Sequence, residues 1–501
     1  MKLNDVLQGS GAEAVGGASS SLEITGIAHD SRKVQPGNLF VALAGASVDG
    51  AQFIAEAKAK GAVALLTEKA QGGALPEAVA PSTRKALAVA AANFYGKPAA
   101  ALTLLGVTGT NGKTTVTYLL ESICAAAGAS VGRIGTIETH FAGRSLPNLH
   151  TTPDALELHR LFREMVDAGT DTVVMEVSSH ALVQERISGL TFRAAAFTNL
   201  SRDHLDYHKD LEDYFQSKRK LFSEHLAPGG VAVVNGDDTY ANRLYNEVRN
   251  SKRMAWKFSR LGGAEISAAG VEISRHGIRA TLKTPAGDIP IKSALVGPHN
   301  LENILAATGM ALGAGFARRD VQEGIERVLR VPGRMERVEE KGIAALVDYA
   351  HTDDALKRAL EASRACAKGR VIAVFGCGGD RDKGKRPLMG KAAGEGADLA
   401  VVTSDNPRAE NPDDIIAEVT PGLETAGLKR ISVGKAKSGE RGYLVESDRR
   451  AAIQLAVSLA REGDIILVAG KGHETYQQVE KEKLPFDDCN EVRAALLGRA
   501  T

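Results

Sequence analysis

Cysteine is scarce in this chain: 4 of its 501 residues, Cys124, Cys366, Cys377 and Cys489, lie far apart with no CxxC pair. That spacing excludes a disulfide framework and a structural zinc centre, and it suits a reducing compartment. An excess of one charge is missing as well, since 62 Lys+Arg against 61 Asp+Glu leave a formal net charge of +1. Nothing therefore suggests a nucleic-acid footprint or a polybasic membrane patch. No apolar run approaches the roughly 20 residues of a membrane span. The opening MKLNDVLQGS puts Asp5 where a signal peptide needs an apolar stretch, so a cytoplasmic location is expected. Internal repeats and low-complexity tails are absent too. What remains is ordinary globular composition, 44% hydrophobic and 25% charged. The chain is too long for one hydrophobic core, and about three domains are expected.

The most informative stretch is Leu104-Leu105-Gly106-Val107-Thr108-Gly109-Thr110-Asn111-Gly112-Lys113-Thr114-Thr115-Val116. An apolar run ends in a glycine-rich turn, and Lys113 then opens a helix. Backbone N–H groups and a helix N-terminus in that order can cradle triphosphate oxygens, with a lysine over the β/γ region and a hydroxyl for Mg²⁺. The common pattern GxxxxGK[ST] requires glycine at 107, where valine stands; the glycine is Gly106.

Punctuation at Gly96-Lys97-Pro98 and Val331-Pro332-Gly333-Arg334 divides the chain into segments 1–98, 99–332 and 333–501. In the first, Val34-Gln35-Pro36-Gly37-Asn38 precedes a β-like run, 39–43, followed by a helical stretch, 51–60, and an apolar run, 62–66. In the second, Thr172–Val177 and Gly230–Val234 read as buried strands of a mostly parallel sheet. The third holds four strand-like runs, 344–347, 371–375, 399–403 and 465–469, each ending in a polar or glycine-rich turn. Ligands of open α/β sheets bind outside the carboxyl ends of strands, so these four loops form an expected crevice. One of them, Gly376-Cys377-Gly378-Gly379-Asp380-Arg381, misses the dinucleotide fingerprint because Arg381 stands where GxGxxG needs glycine.

Three constellations carry further chemistry. Glu176 ends a strand and is placed to hold Mg²⁺, though a lone glutamate is as often a cap or a surface group. Asn199–His208 is dense in ligand-type side chains; His204 and His208, four apart, would suit zinc on a helix, but no third soft ligand is near and an ordinary polar loop fits equally. Asp405-Asn406-Pro407-Arg408 offers a carboxylate, an amide and a guanidinium. Arginine's fork matches a carboxylate, and Asp405 can take an ammonium, so the loop can grip a zwitterion; these are also turn-forming residues.

Taken together, these segments resemble the Mur ligases over the whole chain. The matching stretches include His29-Asp30-Ser31-Arg32, the phosphate loop, His150-Thr151-Thr152-Pro153, Met175–Arg186, Asn199–His208, Gly297–Asn303, Asp348-Tyr349-Ala350-His351, Gly376–Pro387, Asp405–Arg408 and Gly470–Glu474. The resemblance implies an α/β protein of three domains: a small UDP-sugar-binding domain (1–98), a central P-loop ATPase with a mostly parallel sheet (99–332) and a Rossmann-like domain that receives an amino acid (333–501). It implies an ATP- and Mg²⁺-dependent amide ligase acting on UDP-N-acetylmuramoyl-dipeptide, and a monomer. ATP would be held by Gly109, Thr110, Asn111, Gly112, Lys113, Thr114, Thr115, Asn303, Arg334, Asp348 and His351. Ser31, Arg32, Thr151, Thr152, Ser178, Gln184 and Arg186 would hold the UDP-linked substrate. Lys113, Lys218, His204 and Glu176 would be catalytic, and Thr114, Glu176, His204 and Lys218 would serve the metal. Lys218 would do so as N6-carboxylysine, although a lysine between Ser217 and Arg219-Lys220 otherwise reads as solvated. Arg381, Asp405, Asn406, Pro407, Arg408, Gly470 and Glu474 match the site of the family branch that takes meso-diaminopimelate. Where relatives carry proline after the His-Thr pair, this chain has Asp353, and both suit a helix start. A lysine-adding or folylpolyglutamate-type ligase, or a non-catalytic ATP-binding switch, are the competing expectations.

Overall fold

The computed structural model describes every residue except 16–20, 46–48, 74 and 500–501. Its contacts divide into two compact units. One comprises Met1–Thr108, Gly128–Ala195 and Gln216–Ala232; the other comprises Gly109–Ala127, Ala196–Phe215 and Val233–Thr501.

The first unit opens with a five-stranded sheet in the order Glu13–Val15, Glu77–Val79, Ala64–Thr67, Asn38–Val41, Gly26–Ala28. Only the pairing of Glu13–Val15 is antiparallel. Apolar clusters cover both faces, which is why the runs at 39–43 and 62–66 are continuous rather than alternating. The expected helix over 51–60 is shorter and mixed: a 3₁₀ turn, Gly50–Phe53, leads into Ile54–Ala59. Seven strands of a larger, eight-stranded sheet follow in the order Leu226–Asn235, Phe192–Phe197, Thr103–Thr108, Thr172–Glu176, Val131–Ile134, Glu138–Phe141, Arg144–Pro147. Thr172–Glu176 runs parallel to both its neighbours, with Val107 opposite Glu176. The sheet turns antiparallel beyond Val131–Ile134. Gly106 lies inside this sheet, where an added Cβ would stand 2.8 Å from the Phe192 ring. Its early position in the phosphate-loop pattern is thus a packing requirement of the strand.

The second unit begins with helix Lys113–Ala126. Helix Arg318–Arg327 packs on it so closely that Gly324 faces the Ile123 backbone without room for a side chain, and Ser122 Oγ donates to the Gly324 carbonyl at 2.7 Å. The C-terminal sheet has the order Glu336–Glu340, Ile343–Asp348, Ile465–Ala469, Val371–Phe375, Leu399–Val402, Gly442–Val445, parallel except at its first pair. Large apolar clusters fill both faces. The four runs read from the sequence are its four adjacent inner strands, so their loops emerge side by side. Helix Asp353–Cys366 starts at Thr352, whose hydroxyl accepts the Ala355 N–H, as the sequence at 352–354 leads one to expect.

Candidate active site

Backbone builds the first part of the site. Gly109 and Gly112 have φ of +145° and +89°, and a Cβ on either would collide with Thr198 or Asn303. Glycine is therefore obligatory at both positions. The loop between them is held by Asn199, whose Oδ1 accepts the Asn111 N–H at 2.9 Å, and by Thr198, whose hydroxyl donates to the Asn111 carbonyl at 2.6 Å. Lys113 Nζ donates to the carbonyls of Gly109 (3.0 Å) and Thr110 (2.7 Å), arching over the loop.

Side chains from later in the chain gather on this loop. Arg334 Nη2 donates to Thr114 Oγ1 at 3.2 Å, and its guanidinium lies 4.6 Å from the Tyr349 ring centroid. Asp348 accepts the Met335 N–H at 2.8 Å; burial raises its carboxyl above the ordinary value although Arg334 opposes this. His351 is held at 2.9 Å from the Tyr349 carbonyl, and burial lowers its ring pKa. Asn303 donates to Asn300 Oδ1 at 3.0 Å. Asp203, which sequence reasoning left without a role, stands beside these groups. Burial works against its ionisation, but the charges of His204, His351 and Lys113 keep its carboxyl below the usual range. His204 Nε2 is 3.5 Å from Asp203 Oδ2. His204 and His208 sit in a turn rather than on a helix, so the zinc-like spacing has no helical face behind it.

In the first unit, Glu176 is buried, and both its oxygens accept hydrogen bonds from Thr136, at 2.9 Å each from N and Oγ1. The Thr136 hydroxyl also meets that of Thr151 at 3.0 Å. Thr152 Oγ1 donates to the Glu176 carbonyl and accepts the Ser178 N–H. Arg186 donates to the Thr152 carbonyl at 2.6 Å and grips Gln184 Oε1 through two nitrogens. Thr151, Thr152, Glu176, Ser178, Gln184 and Arg186 thus form one polar network. Ser31 and Arg32 have partners of their own, Glu56 and Asp30. A cleft beside the network is lined by His29, Arg84, His150, Asp154, Gln184 and Arg186 among others. His29 Nε2 lies 3.4 Å from Asp154 Oδ2. Lys218 is fully buried, 1% exposed, contrary to the solvated side chain that its charged helix suggests.

Among the described residues no three His, Cys, Asp or Glu side chains gather closely enough to hold a metal ion alone.

The crevice of the C-terminal sheet is built from side chains. Arg408 adopts φ +52° and donates to the Gly379 carbonyl at 2.7 Å. A hairpin, Tyr476–Val479 with Glu482–Pro485, grips its backbone on both sides: the Arg408 N–H donates to Gln478 O at 3.1 Å, and the Glu480 N–H donates to Arg408 O at 2.7 Å. Asn406 Nδ2 donates to Glu474 Oε2 at 2.8 Å. Gly470 follows the strand end beside Asp405, Pro407 stacks its carbonyl against Gly379, and Arg381 is exposed at the rim.

Known proteins with this organisation can now be compared. Three family models match: "Mur ligase family, catalytic domain" over residues 23–95, "Mur ligase middle domain" over 107–311, and "Mur ligase, glutamate ligase domain" over 333–472. A curated relative from Geobacter metallireducens, UDP-N-acetylmuramoyl-L-alanyl-D-glutamate–2,6-diaminopimelate ligase, is 45% identical across 99% of this chain and 98% of its own. The chain belongs to the Mur ligase family. A solved structure of a ligase with the same description superposes with a TM-score of 0.71 at 34% identity, covering 99% of this chain and 98% of the other. The MurF ligase of Thermotoga maritima in complex with ADP shares the fold, with a TM-score of 0.60 at 20% identity over 96% and 99% of the two chains.

Two buried cations of this Mur ligase carry no local signal in the sequence. Arg449 and Asp488 are both wholly buried and paired through Nε–Oδ1 (2.8 Å) and Nη2–Oδ2 (2.6 Å). Arg449 also donates to the carbonyls of Ser404 and Ala469, the residues just before Asp405 and Gly470. It thereby sets the spacing of two crevice loops. Lys471, between Gly470 and Gly472, is the second.

Proposed function

We infer that this Mur ligase is an ATP-dependent carbon–nitrogen ligase that joins meso-diaminopimelate to UDP-N-acetylmuramoyl-L-alanyl-D-glutamate, a cytoplasmic step in peptidoglycan precursor synthesis. The observation that carries this reading is the Asp405–Arg408 loop in its crevice, in a chain whose whole length is 45% identical to a ligase so named. Segments 1–98, 99–332 and 333–501 are taken as UDP-sugar, ATPase and amino-acid domains; one family model falling in each supports this division. The enzyme is taken to act as a monomer.

A carboxylate is a poor electrophile, so amide formation begins with activation. Gly109–Thr115 hold the triphosphate, with Asn303, Arg334, Asp348 and His351 as further nucleotide contacts, and Lys113 turns from the loop carbonyls to the γ-phosphate. Thr114, Glu176, His204 and a carbamylated Lys218 would hold Mg²⁺, which when bound shares the phosphate charge. Ser31, Arg32, Thr151, Thr152, Ser178, Gln184 and Arg186 orient the UDP-linked substrate so that the D-glutamate γ-carboxylate attacks the γ-phosphorus in line and expels ADP. The diaminopimelate amine then attacks the acyl phosphate, loses a proton and releases inorganic phosphate. Arg381, Asp405, Asn406, Pro407, Arg408, Gly470 and Glu474 receive that amino acid. Arg408 rewards the distal carboxylate that lysine lacks, because without it the guanidinium keeps the Gly379 carbonyl but its charge goes unmatched. Phosphate release from ATP and the UDP-muramoyl-dipeptide is expected with meso-diaminopimelate and far slower with L-lysine. Equal rates would refute the selectivity, and no release with either amino acid would refute the activity.

A further inference from the structure

Lys471 has a fully buried side chain in the amino-acid crevice, yet none of the assigned contacts uses it. Its ammonium donates to Asn406 Oδ1 at 2.8 Å and Glu474 Oε2 at 3.2 Å. It also stands 3.8 Å from Asp405 Oδ1. Asn406 Oδ1 accepts a second hydrogen bond, from the Gln478 N–H at 2.8 Å. A flipped Asn406 amide would aim its NH₂ at an ammonium and a backbone N–H, both donors. The lysine therefore fixes the orientation of Asn406, and Asn406 Nδ2 in turn fixes Glu474.

The charges are unequal. Two carboxylates, Asp405 and Glu474, face one ammonium, and Asp405 Oδ1 is buried without a hydrogen-bond partner, in a residue only 7% exposed. A buried acceptor left in this state is costly unless a ligand completes it.

We propose that Lys471 is a positioning residue for amino-acid recognition: it locks Asn406 and, through it, Glu474, so that the Glu474 carboxylate and the orphaned Asp405 oxygen receive the ammonium of the incoming amino acid's distal zwitterion. Arg408 then has only the distal carboxylate to recognise. The proposal rests on the diaminopimelate-ligase reading. Lysine, which keeps the ammonium but lacks that carboxylate, engages only the half of the site that Lys471 organises.

The test is steady-state kinetics of the full-length Lys471→Met enzyme, with each substrate varied in turn. KM for meso-diaminopimelate is expected to rise about 30-fold, the worth of charge-assisted hydrogen bonds, while KM for ATP and for the UDP-linked substrate stays within about twofold. In the Asn406→Ala background the same change should add little, since lysine and asparagine act as a unit. Lys471→Gln keeps a donor without the charge and should lose about tenfold; it serves alone if the methionine variant does not fold. An unchanged KM for diaminopimelate would overturn the proposal. So would an equal rise in all three KM values, or full additivity with Asn406→Ala. If the wild-type enzyme itself releases no phosphate with diaminopimelate, the underlying function has failed and not the role of Lys471.

Discussion

The phosphate loop and the amino-acid crevice solve opposite problems by opposite means. The loop, Gly109–Thr115, is contiguous in sequence and made of backbone, with glycines where any Cβ would collide. The crevice takes residues from loops that follow separate strands and holds them with buried side chains, Arg449 and Lys471. A triphosphate needs many N–H donors in one small volume, which consecutive residues supply. A zwitterion with two charged ends needs opposite charges at fixed separation, and these come most readily from elements far apart in the chain. The difference teaches that the energy-supplying site is locally encoded, whereas the selecting site is encoded by packing.

That contrast can be broken deliberately. Asp488→Ala strands the Arg449 guanidinium in the core of the C-terminal sheet. A loss of about 3–5 kcal/mol in unfolding free energy is expected, measured by denaturant titration, with ATP-analogue binding by the surviving folded fraction less affected than diaminopimelate binding. Lys113→Ala touches only the loop: phosphate release should fall by on the order of 10²–10³-fold with the diaminopimelate KM nearly unchanged, and retention of most of the activity would refute the loop's role. Arg408→Ala acts on the other side. Its kcat/KM for diaminopimelate should drop about 100-fold, the worth of a charged hydrogen-bonding partner, while the slow reaction with L-lysine changes little.

A further expected effect is a pH response carried by His473. His473 lies 4.9 Å from the Tyr349 ring, and burial, aided by the charges of Arg334 and His351, lowers its pKa from 6.5 to about 3. The folded chain keeps this ring neutral while the unfolded chain protonates it. Its contribution to stability is therefore complete above about pH 6.5 and declines as pH falls toward 3. His473→Gln should flatten that part of the thermal-unfolding profile, and an identical slope in the variant would assign the acid sensitivity elsewhere.

Much of this architecture was legible from the residues alone. Buried parallel strands have to be apolar on both faces, so 371–375, 399–403 and 465–469 announced themselves, and so did the loops that follow them. The phosphate loop was legible because its glycines are a local steric demand. Other features left no local trace. Glycine at 106 rather than 107 is the version of the loop that the Mur ligase resemblance implies, but its steric reason, the Phe192 ring against it, shows only in the fold. Arg449 and Asp488 are ordinary helix residues until the fold brings them together. Lys471, between two glycines, has the composition of a solvated turn, and Lys218 the composition of a solvated helix face. Both are buried. Periodicity reports which face of an element is apolar; it does not report which cation a closed interior has enclosed.

The hairpin that grips Arg408 has a consequence of its own. It is short, lies outside the six-stranded sheet, and meets the arginine through main-chain hydrogen bonds on either side. Its Gln477 side chain also donates to the Asp405 carbonyl at 2.8 Å, and its Gln478 N–H holds Asn406 Oδ1, so the hairpin sets the place of the whole loop. Adding or removing one residue at its turn, Glu480-Lys481, would move Arg408 and Asn406 together without replacing any side chain proposed to meet the amino acid. On the proposed reading of the crevice, hairpin length is a mechanical adjustment of selectivity separate from the choice of contact residues.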